Sequence, residues 1–198
     1  MKKETKNHWN PKINEMPDLG HLKDKLLLDL MLNIALGGAG PNDLTARALW
    51  VNYIRLVDKS VFEYKNARDS LEEYVSTPNE VIYPLFRCIS HLENCIDSVK
   101  RAVSFAEKMR RNKESPGINK LSVLSIVTKK KLNYFRNAIE HLEKDVVKNN
   151  ISEDNPTMLL IRHNSITLAG EKLSYHELSE WIQELYNLAK DLKDYRDI

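Results

Sequence analysis

The stretch Leu132-Asn133-Tyr134-Phe135-Arg136-Asn137-Ala138-Ile139-Glu140-His141-Leu142-Glu143-Lys144-Asp145-Val146 decides how the rest of the chain is read. Leu132, Phe135, Ile139, Leu142 and Val146 recur at alternating spacings of three and four, which places them on one face of a 3.6-residue repeat. That face belongs in a core, and the pattern predicts a helix over about 121 to 148. The same turns carry Arg136, Asn137, Glu140 and His141 away from the apolar stripe. At 100° per residue, Asn137 and His141 are neighbours about 40° apart, whereas Arg136 and His141 are about 140° apart. One straight helix does not bring Arg136 and His141 onto one small substrate. Two copies related by a twofold axis place the polar face of one helix against its mate, so the pattern predicts a homodimer.

Working towards the amino terminus, Ser115-Pro116-Gly117 breaks a preceding helix expected over about 78 to 113. In it Leu85, Ile89, Leu92, Ile96, Val99, Val103 and Ala106 form a core stripe, and Arg87, His91, Asn94, Ser98 and Arg101 a polar one. Thr77-Pro78-Asn79-Glu80 reads as its capping box, and Pro84 as a kink inside it. A longer helix is expected over about 42 to 76, capped by Asn42 or Asp43, with Trp50, Ile54, Val57, Val61, Tyr64, Leu71 and Val75 facing inward. A short helix over about 21 to 36 ends at Gly37, Gly38 and Gly40, and residues 1 to 20 read as a loose, flexible tail.

Towards the carboxyl terminus, apolar and β-branched runs flank His163-Asn164 and predict a hairpin. Ser174-Tyr175-His176-Glu177 is a capping box that opens a last helix, expected over about 175 to 194. The fold class is therefore all-α, an antiparallel helical bundle over residues 21 to 198 with a short β-hairpin before the last helix.

The 42% hydrophobic and 29% charged residues suit a folded helical protein rather than a disordered chain. A formal net charge of +2 does not announce a nucleic-acid binder. Local clusters carry that argument: Arg110, Arg111 and Lys113, and Lys129 to Lys131 just ahead of Arg136. Cys88 and Cys95 lie seven apart in one expected helix, about 10 Å of rise, too far for a disulfide between them. They read as buried thiols in a reducing compartment. The apolar run Leu26 to Leu36 is interrupted by Asp29 and Asn33 and is shorter than a bilayer span, and no secretory leader is evident, so a cytoplasmic protein is expected. There is no glycine-rich phosphate loop, no nucleophile elbow and no His-Glu-x-x-His, so any catalysis is expected to be metal-independent and cofactor-free.

The order Arg136-Asn137-Ala138-Ile139-Glu140-His141 sets an Arg four residues from a His, with Asn directly after the Arg. This resembles the HEPN superfamily, whose nucleases carry an Arg, four to six residues and a His on a late helix of a helical bundle; the resemblance covers residues 41 to 148. It implies a metal-independent endoribonuclease with a composite site at a homodimer interface. Many such proteins serve as toxins or phage-defence effectors beside an antitoxin or operon partner. Carried onto this chain, Arg136, Asn137 and His141 would be catalytic, and Lys130, Lys131, His91 and Asn94 would contact the RNA. In one toxin group a Tyr two positions after the His is a target of nucleotidyl modification; Glu143 stands there, so that regulation is not carried over. Other members have lost catalysis, which gives the alternative of a non-catalytic helical interaction or sensor module.

Overall fold

The computed structural model describes residues 11–22, 25–77, 82–116, 124–147 and 159–196, without the side chains of 126 and 142–146. Five α-helices carry the fold: α1 (Leu26–Gly37), α2 (Leu44–Ser76), α3 (Tyr83–Arg111), α4 (Ile126–Val147) and α5 (Tyr175–Leu192). Between α4 and α5 lie β1 (Leu160–Ile161), β2 (Ser165–Leu168) and β3 (Glu171–Ser174), joined in that order as an antiparallel sheet.

The frame is the antiparallel pair α2 and α3, stitched by His91 to Glu63 and by Cys95 Sγ to the carbonyl of Ser60. Trp50, Ile54, Val57, Val61, Tyr64 and Leu71 are buried, as are Ile89, Leu92, Ile96, Val99, Val103 and Ala106 on the facing helix. Helix α5 lies antiparallel to α2: the Trp50 indole donates to the Leu192 carbonyl and the Tyr53 hydroxyl to that of Leu185, each at 2.9 Å. Both aromatic side chains thus bury their rings while satisfying their one polar hydrogen, which an apolar interior demands.

Caps explain the starts. Asp43 accepts from the Ala46 N–H at 2.7 Å and opens α2, as its position in the sequence leads one to expect. At α5 the Ser174 and Glu177 side chains each accept from the other's backbone N–H. Helix α1 ends at Gly38, whose φ of +61° few other residues adopt without strain.

Several expectations are corrected. Helix α1 begins at Leu26 rather than near residue 21. Val75 is exposed. Pro84 sits in the first turn of α3, where the missing N–H leaves no hydrogen bond broken, so it starts the helix rather than kinking it. Thr77 donates its hydroxyl to the Glu73 carbonyl and closes α2; the rest of the expected capping box lies outside the described residues. The chain from Pro11 onward is laid against α2: Met16, Leu19 and Leu22 are buried, and Tyr64, Lys65 and Arg68 donate to the carbonyls of Pro17, Leu22 and Met16.

The hairpin about His163-Asn164 forms, with the Arg162 N–H on the Ser165 carbonyl at 2.7 Å. The third strand was not foreseen. Leu168 pairs with Glu171 across Ala169 (φ 50°) and Gly170 (φ 82°), a two-residue turn in which both residues are left-handed. Ala169 is the strained member, since left-handed backbone costs an ordinary residue about 1 kcal/mol or more. Ala169→Gly is expected to raise stability by about 0.5–1 kcal/mol, read as a higher urea midpoint at unchanged slope. A lower midpoint would contradict the turn assignment.

Candidate functional site

Helix α4 begins where Ser125 accepts from the Thr128 N–H at 3.3 Å, so its start is Ile126 rather than about residue 121. Leu132 and Phe135 are fully buried and Ile139 is partly buried against the core, as the stripe requires. Tyr134 packs edge-on against Phe135 and donates its hydroxyl to the Ala169 carbonyl at 2.5 Å. Two lysines complete the hold. Lys129 reaches Glu107 on α3 at 2.9 Å, and Lys131 reaches both carboxylate oxygens of Glu177 on α5 at 2.7 and 2.9 Å. Tied to α3, to the sheet and to α5, α4 has its rotation set, and with it the direction of its outer face.

On that face Arg136 is half-buried, and Asn137, Glu140 and His141 are exposed. Arg136 pairs with Glu140 one turn on, and its guanidinium also donates to the Asn137 side-chain oxygen at 3.4 Å. An exposed pair of this kind contributes at most about 1 kcal/mol, so an incoming phosphate can displace the carboxylate from the guanidinium. Among the described residues, no hydrogen bond or ion pair engages the His141 ring.

Of the residues expected to contact substrate, Lys130 is exposed on α4 beside this face. Lys131 is committed to Glu177. His91 and Asn94 are not drawn into the cluster: His91 binds Glu63 on α2 at 2.7 Å, and Asn94 is exposed, its carbonyl accepting from the Ser98 hydroxyl. Ser98 itself is fully buried, so the polar stripe of α3 is not simply a solvated face.

The border between α3 and α4 is marked instead by a small pocket lined by Lys100, Val103, Glu107, Lys129, Leu132 and Asn133. Sequence reading missed Lys100 and Asn133 because their stripe is polar on both helices. It also missed Glu93, seven residues before Lys100 and so nearly on the same face of α3. Burial raises the Glu93 carboxyl above its ordinary 4.5.

The Lys129 hydrogen bond holds Glu107 below the usual carboxylate range despite some burial. Burial works against ionisation of Glu177, but hydrogen bonds from Lys131 and Ser174 outweigh it and lower its pKa too. A carboxylate whose pKa is depressed by folding stabilises the fold above its unfolded pKa and loses that contribution as pH falls through the folded value. Acidification below about 4.5 is therefore expected to loosen α4. The stability difference between the parent and a Glu107→Gln/Glu177→Gln variant should be largest near about pH 7 and shrink towards about pH 3. A difference independent of pH would show that neither pair holds the helix.

Among the described residues, no three His, Cys, Asp or Glu side chains are grouped to hold a metal ion, and no helix is long and apolar enough to cross a membrane. Cys88 and Cys95 are buried free thiols, and burial pushes the Cys88 thiol up to about 12. Comparison of the chain with protein families, with curated proteins and with solved structures finds no match.

Proposed function

We propose that this protein is a HEPN-like, metal-independent endoribonuclease acting at a site composed from two copies of the chain. The observation that carries the reading is the register of α4. Burial of Leu132 and Phe135, with the Lys129, Lys131 and Tyr134 ties, holds the rotation of a helix on which Asn137 and His141 are exposed and Arg136 is half-buried.

RNA brings its own nucleophile. The 2′-oxygen attacks the adjacent phosphorus as its proton passes to a base, and the bond to the 5′-oxygen breaks as that oxygen takes up a proton. The products are a 2′,3′-cyclic phosphate and a 5′-hydroxyl. An imidazole exchanges protons near neutral pH, which suits His141 to one or both transfers. A guanidinium matches two phosphate oxygens at once, which suits Arg136 to the charge that builds on the phosphate. Asn137 positions the Arg136 guanidinium through the contact they share. Lys130 adds positive charge at the entrance. A toxin or phage-defence role, with an antitoxin or operon partner, follows from the same resemblance.

The angle of about 140° between Arg136 and His141 makes the site depend on a second copy. Arg136 of one protomer then works with His141 of its mate. Mixing Arg136→Ala with His141→Ala protein, each inactive alone, is expected to restore cleavage, because a mixed dimer holds one site with both groups intact. No recovery in a mixture shown by sedimentation to contain dimers would overturn the composite site. Monomers alone at micromolar concentration would do the same.

A second reading, a non-catalytic interaction or sensor module, is favoured by one feature of α1. Leu28, Met31, Leu32 and Leu36 lie along one side of it and are exposed by 54%, 48%, 49% and 85%. A contiguous apolar stripe in water is a common mark of a protein-binding face.

A further inference from the structure

The described chain starts in a groove. Pro11, itself buried, lines an apolar hollow of about 130 Å³ where the carboxyl end of α2, the start of α3 and β1 meet. Tyr74 lines it from α2, Ile82, Leu85 and Phe86 from the start of α3, and Leu160 from β1. No charged side chain lines it, and Ile82 and Phe86 remain half exposed at its rim. A cavity of roughly 150 Å³ accepts one benzene ring, so the hollow suits a single aromatic side chain and is too small for a longer peptide.

The sequence just ahead of Pro11 carries such a side chain. Residues 1 to 10 lie outside the described residues, and Met1 and Trp9 are the only apolar ones in them. Asn10 precedes a proline, whose ring crowds the residue before it and favours extended backbone there. In extended chain, side chains two apart project to the same side, so Trp9 shares the side of Pro11. Two such residues cover about 7 Å, which brings the indole within reach of the groove that Pro11 lines. Tyr74 contributes the one side-chain hydroxyl among the lining residues, and that hydroxyl makes no hydrogen bond among the described residues. An indole is an apolar body with one N–H to satisfy; apolar walls and one open hydroxyl meet both needs.

We infer that Trp9 of the same chain fills this groove, its ring against Leu85, Phe86 and Leu160 and its N–H on the Tyr74 hydroxyl. Seated there, it ties the amino terminus to α2, α3 and β1 at once. It also covers apolar surface beside β1, which is an edge of the sheet. A strand edge with open apolar flanks is a template for another chain, so the tryptophan keeps this face closed to a second copy. The groove shares no residue with the outer face of α4, and its occupancy does not depend on whether the chain cleaves RNA.

Fluorine NMR of the full chain labelled with fluorotryptophan tests it. The chain has three tryptophans, and Trp9→Phe identifies the Trp9 resonance. In the parent that resonance is expected away from the position of the free amino acid and without the solvent-isotope shift of an exposed ring, both unchanged by dilution. Ile82→Ser/Phe86→Ser alters walls that are already half exposed, so it should send the resonance to the free position and restore the isotope shift at an unchanged circular dichroism spectrum. Tyr74→Phe should move it by less. Trp9→Ala protein should bind the dye anilinonaphthalene sulfonate severalfold more than the parent does, because the groove is then open. The inference is overturned if Trp9 of the parent behaves as an exposed ring or if its resonance is unmoved in both groove variants. Protection that fades on dilution would also overturn it, by assigning the groove to Trp9 of a second copy.

Discussion

His141→Ala is expected to slow RNA cleavage by roughly 10²- to 10⁴-fold while leaving the fold intact. The first half follows from removing a group that transfers protons in the transition state. The second follows from position: His141 is exposed on α4 and makes no hydrogen bond or ion pair among the described residues, so its loss opens no cavity. Arg136→Lys should also be poorly tolerated, because an ammonium keeps the charge but not the planar pair of donors. A rate unchanged in both His141→Ala and Arg136→Ala would remove the catalytic reading and leave the interaction module in its place. Equal losses of activity and of folding cooperativity would locate the effect in the scaffold instead.

Trp50→Ala is expected to be the most damaging single change to stability, costing about 3–5 kcal/mol. The indole is fully buried where α2 meets α5, and its N–H satisfies the Leu192 carbonyl. Its ring also packs against the backbone of Gly40, where a Cβ would stand 2.5 Å from the ring and where φ is +112°. Gly40 in turn donates its N–H to the Tyr195 carbonyl at 2.7 Å, so one tryptophan organises the connection after α1, the start of α2 and the end of α5. Urea unfolding followed by circular dichroism checks the loss. A cost under about 1 kcal/mol would mean that the site repacks around the missing ring, which is unusual for so large a buried side chain.

The parts of the fold that sequence reading found are those where one local signal dominates. The stripes of α2 and α3, the Asp43 cap and the Ser174 box of α5 each depend on residues within a turn or two of one another. The parts it missed depend on partners far along the chain. Glu171-Lys172-Leu173-Ser174 has one apolar residue and no alternation that announces a strand, and only pairing with Ser165 to Leu168 makes it one. Ala169 disguised the turn, because the usual Asn or Gly of such a hairpin is absent from its first position. Met16, Leu19 and Leu22 are too sparse to announce an element, yet α2 supplies the surface that buries them.

The candidate site divides in the same way. The outward placement of Asn137 and His141 was legible, since helical period alone gives it once Leu132 and Phe135 are taken as core; Arg136, nearer that core face, is half-buried. The commitments of charged groups were not. Lys131 and His91 are expected on the RNA, whereas the structure commits them to Glu177 and Glu63. Spacing tells which face a charge is on, but its partner depends on which helix that face meets.

The most direct measurement of the central claim is cleavage of a 5′-labelled RNA by the purified full chain in excess EDTA, with analysis of the new ends. The account predicts cutting that persists in the chelator and leaves 2′,3′-cyclic phosphate and 5′-hydroxyl ends. An RNA left intact, or cleavage that stops when EDTA is added, would contradict it.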